Sequence, residues 1–137
     1  MIEKMFEYKG FICVCNLMEG GWRTGYSGFP KHKYRISKNR LYVFRGITYD
    51  ENHLLYVLGY ENENYPNYRW LGFDTACNQF ASDFASVRKL YKDNPTVLAA
   101  CDLLEKIKQQ EDKPIFTTEM VESELKDLCN QILEQNK

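Results

Sequence analysis

One stretch of the sequence, residues 20–30, constrains the fold more than any other. It reads GGWRTGYSGFP, so four of its eleven residues are glycine, and a run of cations follows it directly. Glycine inside an extended segment marks a bulge or a close approach by a ligand or by another backbone. The stretch therefore predicts a strand-like segment that forms one wall of a binding site.

The arginine and aromatic residues of this stretch have two interpretations. In the first, Arg23 binds phosphate or carboxylate through its planar set of donors, while Trp22 and Tyr26 stack on a base. In the second, Arg23 pairs with one of the chain's own acids and the rings fill the core. A phosphate loop is excluded because no Gly-Lys-Ser/Thr follows, and the strand-turn-helix context of a dinucleotide fingerprint is absent.

The first 74 residues have the periodicity of strands. Residues 5–8 and 11–17 flank a Lys9-Gly10 turn and predict a hairpin, with Phe11, Cys13, Cys15 and Leu17 on one face. Core packing explains Cys13 and Cys15 better than a metal or redox pair. Four further segments have strand composition, namely 22–29, 41–49, 54–60 and 68–74. A turn is predicted at 50–53, and residues 30–40 are predicted to form an exposed cationic loop.

After Asp74 the apolar spacing becomes that of helices. Asn94 and Pro95 have the composition of an N-cap and a first helical residue, and Thr117 or Thr118 caps a last helix. The apolar stripes of the three predicted helices are Phe80, Phe84, Val87 and Tyr91; Val97, Cys101, Leu104 and Ile107; and Val121, Leu125, Leu128 and Ile132. We therefore predict a single α+β domain over residues 1–137: an N-terminal antiparallel or mixed β-sheet of about five to six strands, followed by three C-terminal helices packed on one face.

The charge is unevenly distributed along the chain. Residues 1–49 hold nine Lys and Arg against three Asp and Glu, a balance of +6, whereas residues 50–137 have a balance of −7. A basic half suggests an anionic partner: a nucleotide, a nucleic acid or an acidic protein face. The alternative is that the two halves attract each other. The predicted partner-binding cations are Lys31, Lys33, Arg35, Lys38 and Arg40.

Other classes of protein are not indicated. No stretch approaches the roughly 20 apolar residues of a membrane span, and the first residues lack the apolar core of a signal peptide, so we expect a cytoplasmic protein. The five cysteines contain no Cys-x-x-Cys pair and are expected to be reduced and mostly buried. No metal or cofactor is expected, because no His, Cys and Asp cluster has ligand spacing. His32 and His53 fit no catalytic triad, which favours binding over turnover.

Three segments resemble the motifs of an uncharacterised family of small phage and prophage proteins. The first match is Gly21, Arg23, Gly25, Tyr26, Gly28 and Pro30. The second is Gly46, Ile47, Thr48 and Tyr49, with Phe44 and Arg45 where the family has His and Gly. The third is Trp70, Gly72, Phe73, Asp74 and Ala76, with Cys77 where the family has His. The resemblance spans about residues 6–83. It implies a host-directed role, including interference with host defence, and the missing histidines suggest that this chain acts by binding.

The leading hypothesis is a non-enzymatic binding protein. Its predicted pocket accepts an anionic ligand or a partner's acidic or nucleic-acid surface, and consists of Arg23, Tyr26, Arg45, Trp70 and Asp74. One alternative is an enzyme acting on a nucleotide or phosphate ester, with Asp74 or Asp83 as base and Arg23 or Arg45 stabilising charge. Another is a structural protein that forms homo-oligomers through its last helix. A helix-capping role for Asp74 is also open.

Overall fold

A five-stranded antiparallel sheet forms the centre of the structure, a computed structural model that describes residues 1–108 and 112–137 except the side chains of residues 55, 56, 60 and 61. The strands are β1 (Ile2–Tyr8), β2 (Phe11–Leu17), β3 (Arg23–Pro30), β4 (Tyr49–Glu51) and β5 (Tyr68–Asp74), in the order β1-β2-β3-β5-β4. The predicted hairpin corresponds to β1 and β2, and the α+β class is confirmed.

Three longer helices follow the sheet, as predicted. A short helix, α1 (Leu55–Leu58), continues into a 3-10 segment at Gly59–Asn64; the others are α2 (Phe84–Leu90), α3 (Pro95–Ile107) and α4 (Thr118–Glu134). The predicted caps are confirmed: Asn94 accepts a hydrogen bond from the Val97 N–H at 3.1 Å, and Thr117 accepts one from the Met120 N–H at 3.2 Å. Within the described residues, no helix has the length and apolar character needed to cross a membrane.

The two faces of the sheet carry separate cores. On one face, the apolar stripe of α4 packs on β1, β2 and β3, and Cys13 and Cys15 are buried there as predicted. On the other face, Val14, Tyr26 and Trp70 pack against Leu54, which precedes α1, and Leu58, the last residue of α1. The stripe of α4 is thus used in packing on the sheet.

The glycines of the central strands accommodate aromatic rings of this chain. Gly28 pairs with Trp70 across β3 and β5, and a Cβ at Gly28 would lie 2.4 Å from the indole ring. Two residues along, Tyr26 pairs with Gly72, whose added Cβ would lie 2.5 Å from the phenol ring. The glycine-rich pattern therefore reflects two reciprocal ring-over-glycine pairs, which bring β3 and β5 together.

Two predicted strands are wrong. The segment predicted at 41–49 enters a strand only at Tyr49, where β4 begins; residues 41–48 form a loop, in which the backbone N–H and C=O of Tyr42 both pair with the side chain of Gln131 instead of a strand. Residues 55–60 are helical, since Leu54, which directly precedes the helix, and Leu58, four residues on, are both buried against the sheet. The predicted turn at residues 50–53 is wrong in part, because Asp50 and Glu51 pair with β5.

The predicted start of the first long helix is also wrong. Phe80 precedes α2, which begins at Phe84 with Asp83 as its N-cap. Asp83 accepts hydrogen bonds from the Ser86 N–H at 3.1 Å and the Ser86 hydroxyl at 2.7 Å. Asp83 therefore caps α2. Asp74, for which a capping role was also open, accepts a hydrogen bond from the backbone N–H of Ala76, two residues along.

Gly28→Ala tests the ring-over-glycine pairing. The added methyl group must displace the fully buried Trp70 ring, so we expect the free energy of unfolding to fall by about 1–3 kcal/mol. Gly10→Asn is the control: no atom lies within 4 Å of a Cβ there, so the substitution costs only backbone strain at φ +88°, which Asn adopts more readily than most residues. Urea denaturation of both variants measures the difference. Equal losses of stability would contradict the pairing.

Candidate functional site

The first and third motif segments meet at one end of the sheet, around a cleft of about 460 Å³. The cleft lies between the start of β3, the segment joining β5 to α2, and residues that follow α3. Its lining residues are Gly21, Trp22, Thr75, Ala76, Cys77, Asn78, Phe80, Ala81, Ser82, Lys108, Lys113 and Phe116. We refer to this feature as the strand-end cleft.

Aromatic rings form the apolar part of the strand-end cleft. Phe80 and Phe116 line it with their ring centroids 5.0 Å apart, and Phe44 packs on both from behind at 5.5 and 4.9 Å. The Trp22 ring folds back over Gly20, where an added Cβ would lie 1.9 Å from it. A flat ligand can therefore contact the aromatic side chains of this wall.

Two lysines give the strand-end cleft a positive charge. Lys108 Nζ lies 3.4 Å from the Ser82 hydroxyl, and Lys113 also lines the cleft. Among the described residues, neither lysine forms an ion pair, and the cleft lining contains no Asp, Glu or His. An anion would thus meet two cations that have no ion pair among the described residues, together with the hydroxyl of Ser82 and the side-chain amide of Asn78.

Close backbone contacts fix the walls of the cleft. Gly21, at φ +90°, lies so near residue 82 that a Cβ would be 2.8 Å from the Ser82 side chain, and its carbonyl accepts from the Asp83 N–H at 2.8 Å. The Ala81 N–H donates to the Pro114 carbonyl at 2.8 Å. The segment before β3 and the segment before α4 are therefore both tied to the β5–α2 connection.

Arg23, the first predicted ligand-binding residue, is buried and bound by internal partners through all three guanidinium nitrogens. Its guanidinium donates to Glu3 Oε1 at 2.6 Å and Oε2 at 3.0 Å, and to Asp83 Oδ2 at 2.8 Å. It also donates to the Phe116 carbonyl at 3.0 Å and the Thr118 hydroxyl at 3.1 Å. The structure places Arg23 behind the strand-end cleft, where it joins the cleft walls.

The other four predicted pocket residues form two pairs. Arg45 and Asp74 form an ion pair at 3.0 Å, and Arg45 also donates to the Ala76 carbonyl beside the strand-end cleft. Tyr26 and Trp70 belong to the core on the opposite face of the sheet from Arg23, and Tyr26 borders a second cavity of about 640 Å³. The five residues do not converge on one pocket.

The residues that do line the cleft include several that sequence reasoning missed. Lys108, Lys113 and Ser82 belong to none of the three motif segments, and only the fold brings them to the end of the sheet. The available signal was local and covered Asn78 alone, which lies between a predicted strand and a predicted helix, a place where ligand-binding residues concentrate; Ser82 fell inside the helix predicted from Phe80.

The two acids proposed as bases in the enzymatic alternative are occupied. Burial acts to raise the pKa of Asp83, but hydrogen bonds from Ser86 and Arg23 outweigh it, so the pKa lies below its usual range. Asp83 is therefore an ionised partner of Arg23 rather than a proton acceptor poised near neutral pH. Asp74 is paired with Arg45. In the described part of the chain, no group of three His, Cys, Asp or Glu could hold a metal ion.

The cationic loop at residues 31–40 is exposed, as predicted. Lys31, Lys33, Arg35, Lys38 and Arg40 all have exposed side chains, and Lys38–Arg40 forms a single 3-10 turn. Lys38 pairs at 2.8 Å with Asp50, which also binds Arg69 at 2.8 Å. The remaining four cations line no part of the strand-end cleft.

Arg23→Met tests whether Arg23 is structural. The substitution leaves Glu3 and Asp83 without their cation, and we expect the free energy of unfolding to fall by about 3–5 kcal/mol, the usual cost of breaking a buried pair. Arg88→Met is the control, because Arg88 pairs with Asp102 and Glu105 at the surface. Thermal and urea denaturation report the losses. Similar losses for the two variants would refute the internal role.

Asp50→Asn tests the ion pairs beside the cationic loop. Hydrogen bonds from Arg69 and Lys38 lower the pKa of Asp50 to about 2, whereas an unfolded Asp titrates near 3.9. Because the folded pKa is depressed, this carboxylate stabilises the fold above about pH 4, and the contribution disappears as the pH falls towards 2. The stability difference between the wild type and the variant should be constant above about pH 5 and shrink below it. A difference independent of pH would contradict this assignment.

Comparisons with known proteins identify no relative of this chain. No protein-family model matches the chain, no curated protein matches it, and no solved structure matches it. The functional inference therefore depends on the strand-end cleft and on the residues that the fold places around it.

Proposed function

We propose that this protein is a non-enzymatic binding protein whose strand-end cleft takes a small anionic ligand with a flat ring, of which a nucleotide is the clearest example. The observation that carries the proposal is the placement of Lys108 and Lys113, both without an ion pair in the described residues, in one cleft with the rings of Trp22 and Phe80.

The size and chemistry of the cleft support a ligand of this kind. Its volume of about 460 Å³ lies in the range of small-molecule sites, about 300–1,000 Å³. Lysine is a compact point charge that binds phosphate without a fixed geometry, and a hydroxyl such as that of Ser82 can add a directional hydrogen bond. Aromatic side chains stack on bases with little sequence preference. The cations and the rings thus suit the two ends of one ligand.

Binding is favoured over turnover by the state of the nearby acids. Asp83 is held by Arg23 and Ser86, and Asp74 by Arg45, so each carboxylate already serves the fold. Neither lines the strand-end cleft. A ligand held there would meet cations and rings, which stabilise a complex without supplying a carboxylate base.

The motif resemblance extends the proposal to the biological setting. In a phage or prophage protein, a cleft for anionic ligands would serve a host-directed role in the host cytoplasm by sequestering a nucleotide signal. Inhibition of a host nuclease or defence complex is the corresponding role towards a macromolecular partner. The strand-end cleft supports the small-ligand role more directly, because it is concave and of ligand size.

Titration of nucleoside mono-, di- and triphosphates tests the cleft. Trp22 is partly exposed in the cleft and Trp70 is fully buried, so ligand binding should change the fluorescence of Trp22. We expect the double variant Lys108→Ala, Lys113→Ala to weaken binding by at least tenfold, which is about 1.4 kcal/mol. Calorimetry with each nucleotide provides a second measurement that is independent of fluorescence.

The matched control is the double variant Lys89→Ala, Lys92→Ala, which removes two exposed lysines that line no part of the strand-end cleft. Its affinity should equal that of the wild type. Absence of binding to every nucleotide, or an equal loss in both double variants, would overturn the proposal.

A further inference from the structure

The cations of the basic half are not equally neutralised. Of the nine in residues 1–49, Lys4, Arg23, Lys38 and Arg45 form ion pairs, and Lys9 donates to Asn130 at 2.9 Å. Among the described residues, four have no ion pair: Lys31, Lys33, Arg35 and Arg40. All four lie in the exposed cationic loop, which therefore carries most of the unbalanced positive charge of this half.

Side-chain amides at the end of α4 bind the backbone of the cationic loop and of Tyr42, which follows it. Asn136 accepts from the Arg35 N–H at 2.9 Å and donates to the Arg35 carbonyl at 3.0 Å. Gln135 does the same for Ser37 at 2.9 and 3.3 Å, and Gln131 for Tyr42 at 2.7 and 2.7 Å. We call these three pairs of hydrogen bonds the amide brackets.

The amide brackets satisfy backbone groups that an irregular loop would otherwise leave to water. Each bracket binds the N–H and the C=O of one residue, as a neighbouring strand would, without using the loop's own side chains. Stacking of Tyr34 on Phe11, with centroids 5.3 Å apart, anchors the middle of the loop to the core. The cations thus project from a backbone that is already ordered.

An exposed aromatic ring accompanies these cations. Tyr42 has 74% of its surface exposed, and with Arg35 and Arg40 it borders a groove of about 760 Å³ between the loop and α4. The acids on the helix side of the groove are engaged: Asp127 accepts from Gln131 at 2.8 Å, and Glu134 pairs with Lys137 at 2.8 Å. The bond from Gln131 leaves the negative charge of Asp127 in place, and the ring of Tyr42 and the two arginine side chains are the groove groups without a partner among the described residues.

We propose that the cationic loop and Tyr42 form a binding surface for single-stranded nucleic acid. Lys31, Lys33, Arg35 and Arg40 contact phosphates, and an unpaired base stacks on Tyr42. Cations beside an exposed aromatic ring are the combination that single-strand-binding proteins use, because backbone charge supplies affinity and ring faces take successive bases. A duplex offers phosphates, but the faces of its bases are already stacked on one another. An acidic protein surface offers negative charge but no base to stack on the Tyr42 ring.

The amide brackets reduce the conformational entropy that the binding surface loses when a partner binds. A surface ordered before binding loses less conformational entropy when the partner arrives, so affinity rises without any added charge. This surface is independent of the strand-end cleft, with which it shares no lining residue.

Fluorescence anisotropy with labelled 20-nucleotide single strands, the matching duplex and polyglutamate tests the proposal. The wild type should bind the single strand at least fivefold more tightly than the duplex and should not bind polyglutamate. Arg35→Gln, Arg40→Gln should weaken single-strand binding at least tenfold and reduce the slope of log K against log salt by about 1.4, which is 0.7 for each lost phosphate contact. Tyr42→Ala should weaken binding by about tenfold at an unchanged slope.

Two controls separate this surface from general charge attraction. Lys89→Gln, Lys92→Gln makes the same change in net charge away from the loop and should leave binding unchanged. Gln131→Met, Gln135→Met keeps the charge but breaks two amide brackets, and should weaken binding severalfold while the salt slope is retained. Equal binding of duplex and single strand, binding of polyglutamate, or equal losses in the two charge variants would overturn the proposal.

Discussion

The buried guanidinium of Arg23 is the interaction on which the rest of the structure depends. It joins four parts of the chain: β1 through Glu3, β3 to which it belongs, the N-cap of α2 through Asp83, and the start of α4 through the Phe116 carbonyl and Thr118. Its own backbone binds Thr75 at the end of β5. The sheet and two helices are therefore positioned by one ionised side chain, at a cost in desolvation that its five acceptors offset.

This network also explains where the strand-end cleft lies. Thr75, Ser82 and Phe116 each line the cleft, and each binds Arg23 directly or adjoins a residue that does. Gly21, two residues before Arg23, can approach the Ser82 backbone only because it lacks a side chain. Several segments that Arg23 holds from behind therefore form the walls of the cleft. Arg23 is a positioning residue for these walls.

The elements that the sequence predicts well are those whose signals are local. The β1–β2 hairpin, the Asn94 and Thr117 caps and the α4 stripe each follow from a few neighbouring residues, and each is present. Residues 41–44 have strand composition, yet their backbone partner is Gln131, nearly ninety residues away. Lys108 and Lys113 also lie outside the motif segments in sequence, and only the fold brings them to the strand-end cleft. The sequence left open whether Arg23 binds a ligand or pairs with the chain's own acids, because no sequence pattern shows which acceptors its guanidinium contacts.

The opposite charges of the two halves are partly resolved across the fold. Lys4 meets Glu122, Arg23 meets Asp83 and Arg45 meets Asp74, so each pair joins a basic segment to an acidic one that follows it in sequence. Folding therefore pairs these three cations with acids, whereas four of the five cations of the cationic loop have no ion pair among the described residues. The net charge of −1 is a sum over the whole chain and does not show the local surplus of positive charge on the cationic loop, whose backbone the amide brackets bind. For a chain of this kind, the charge that remains after folding is a better guide to partners than the charge of the sequence.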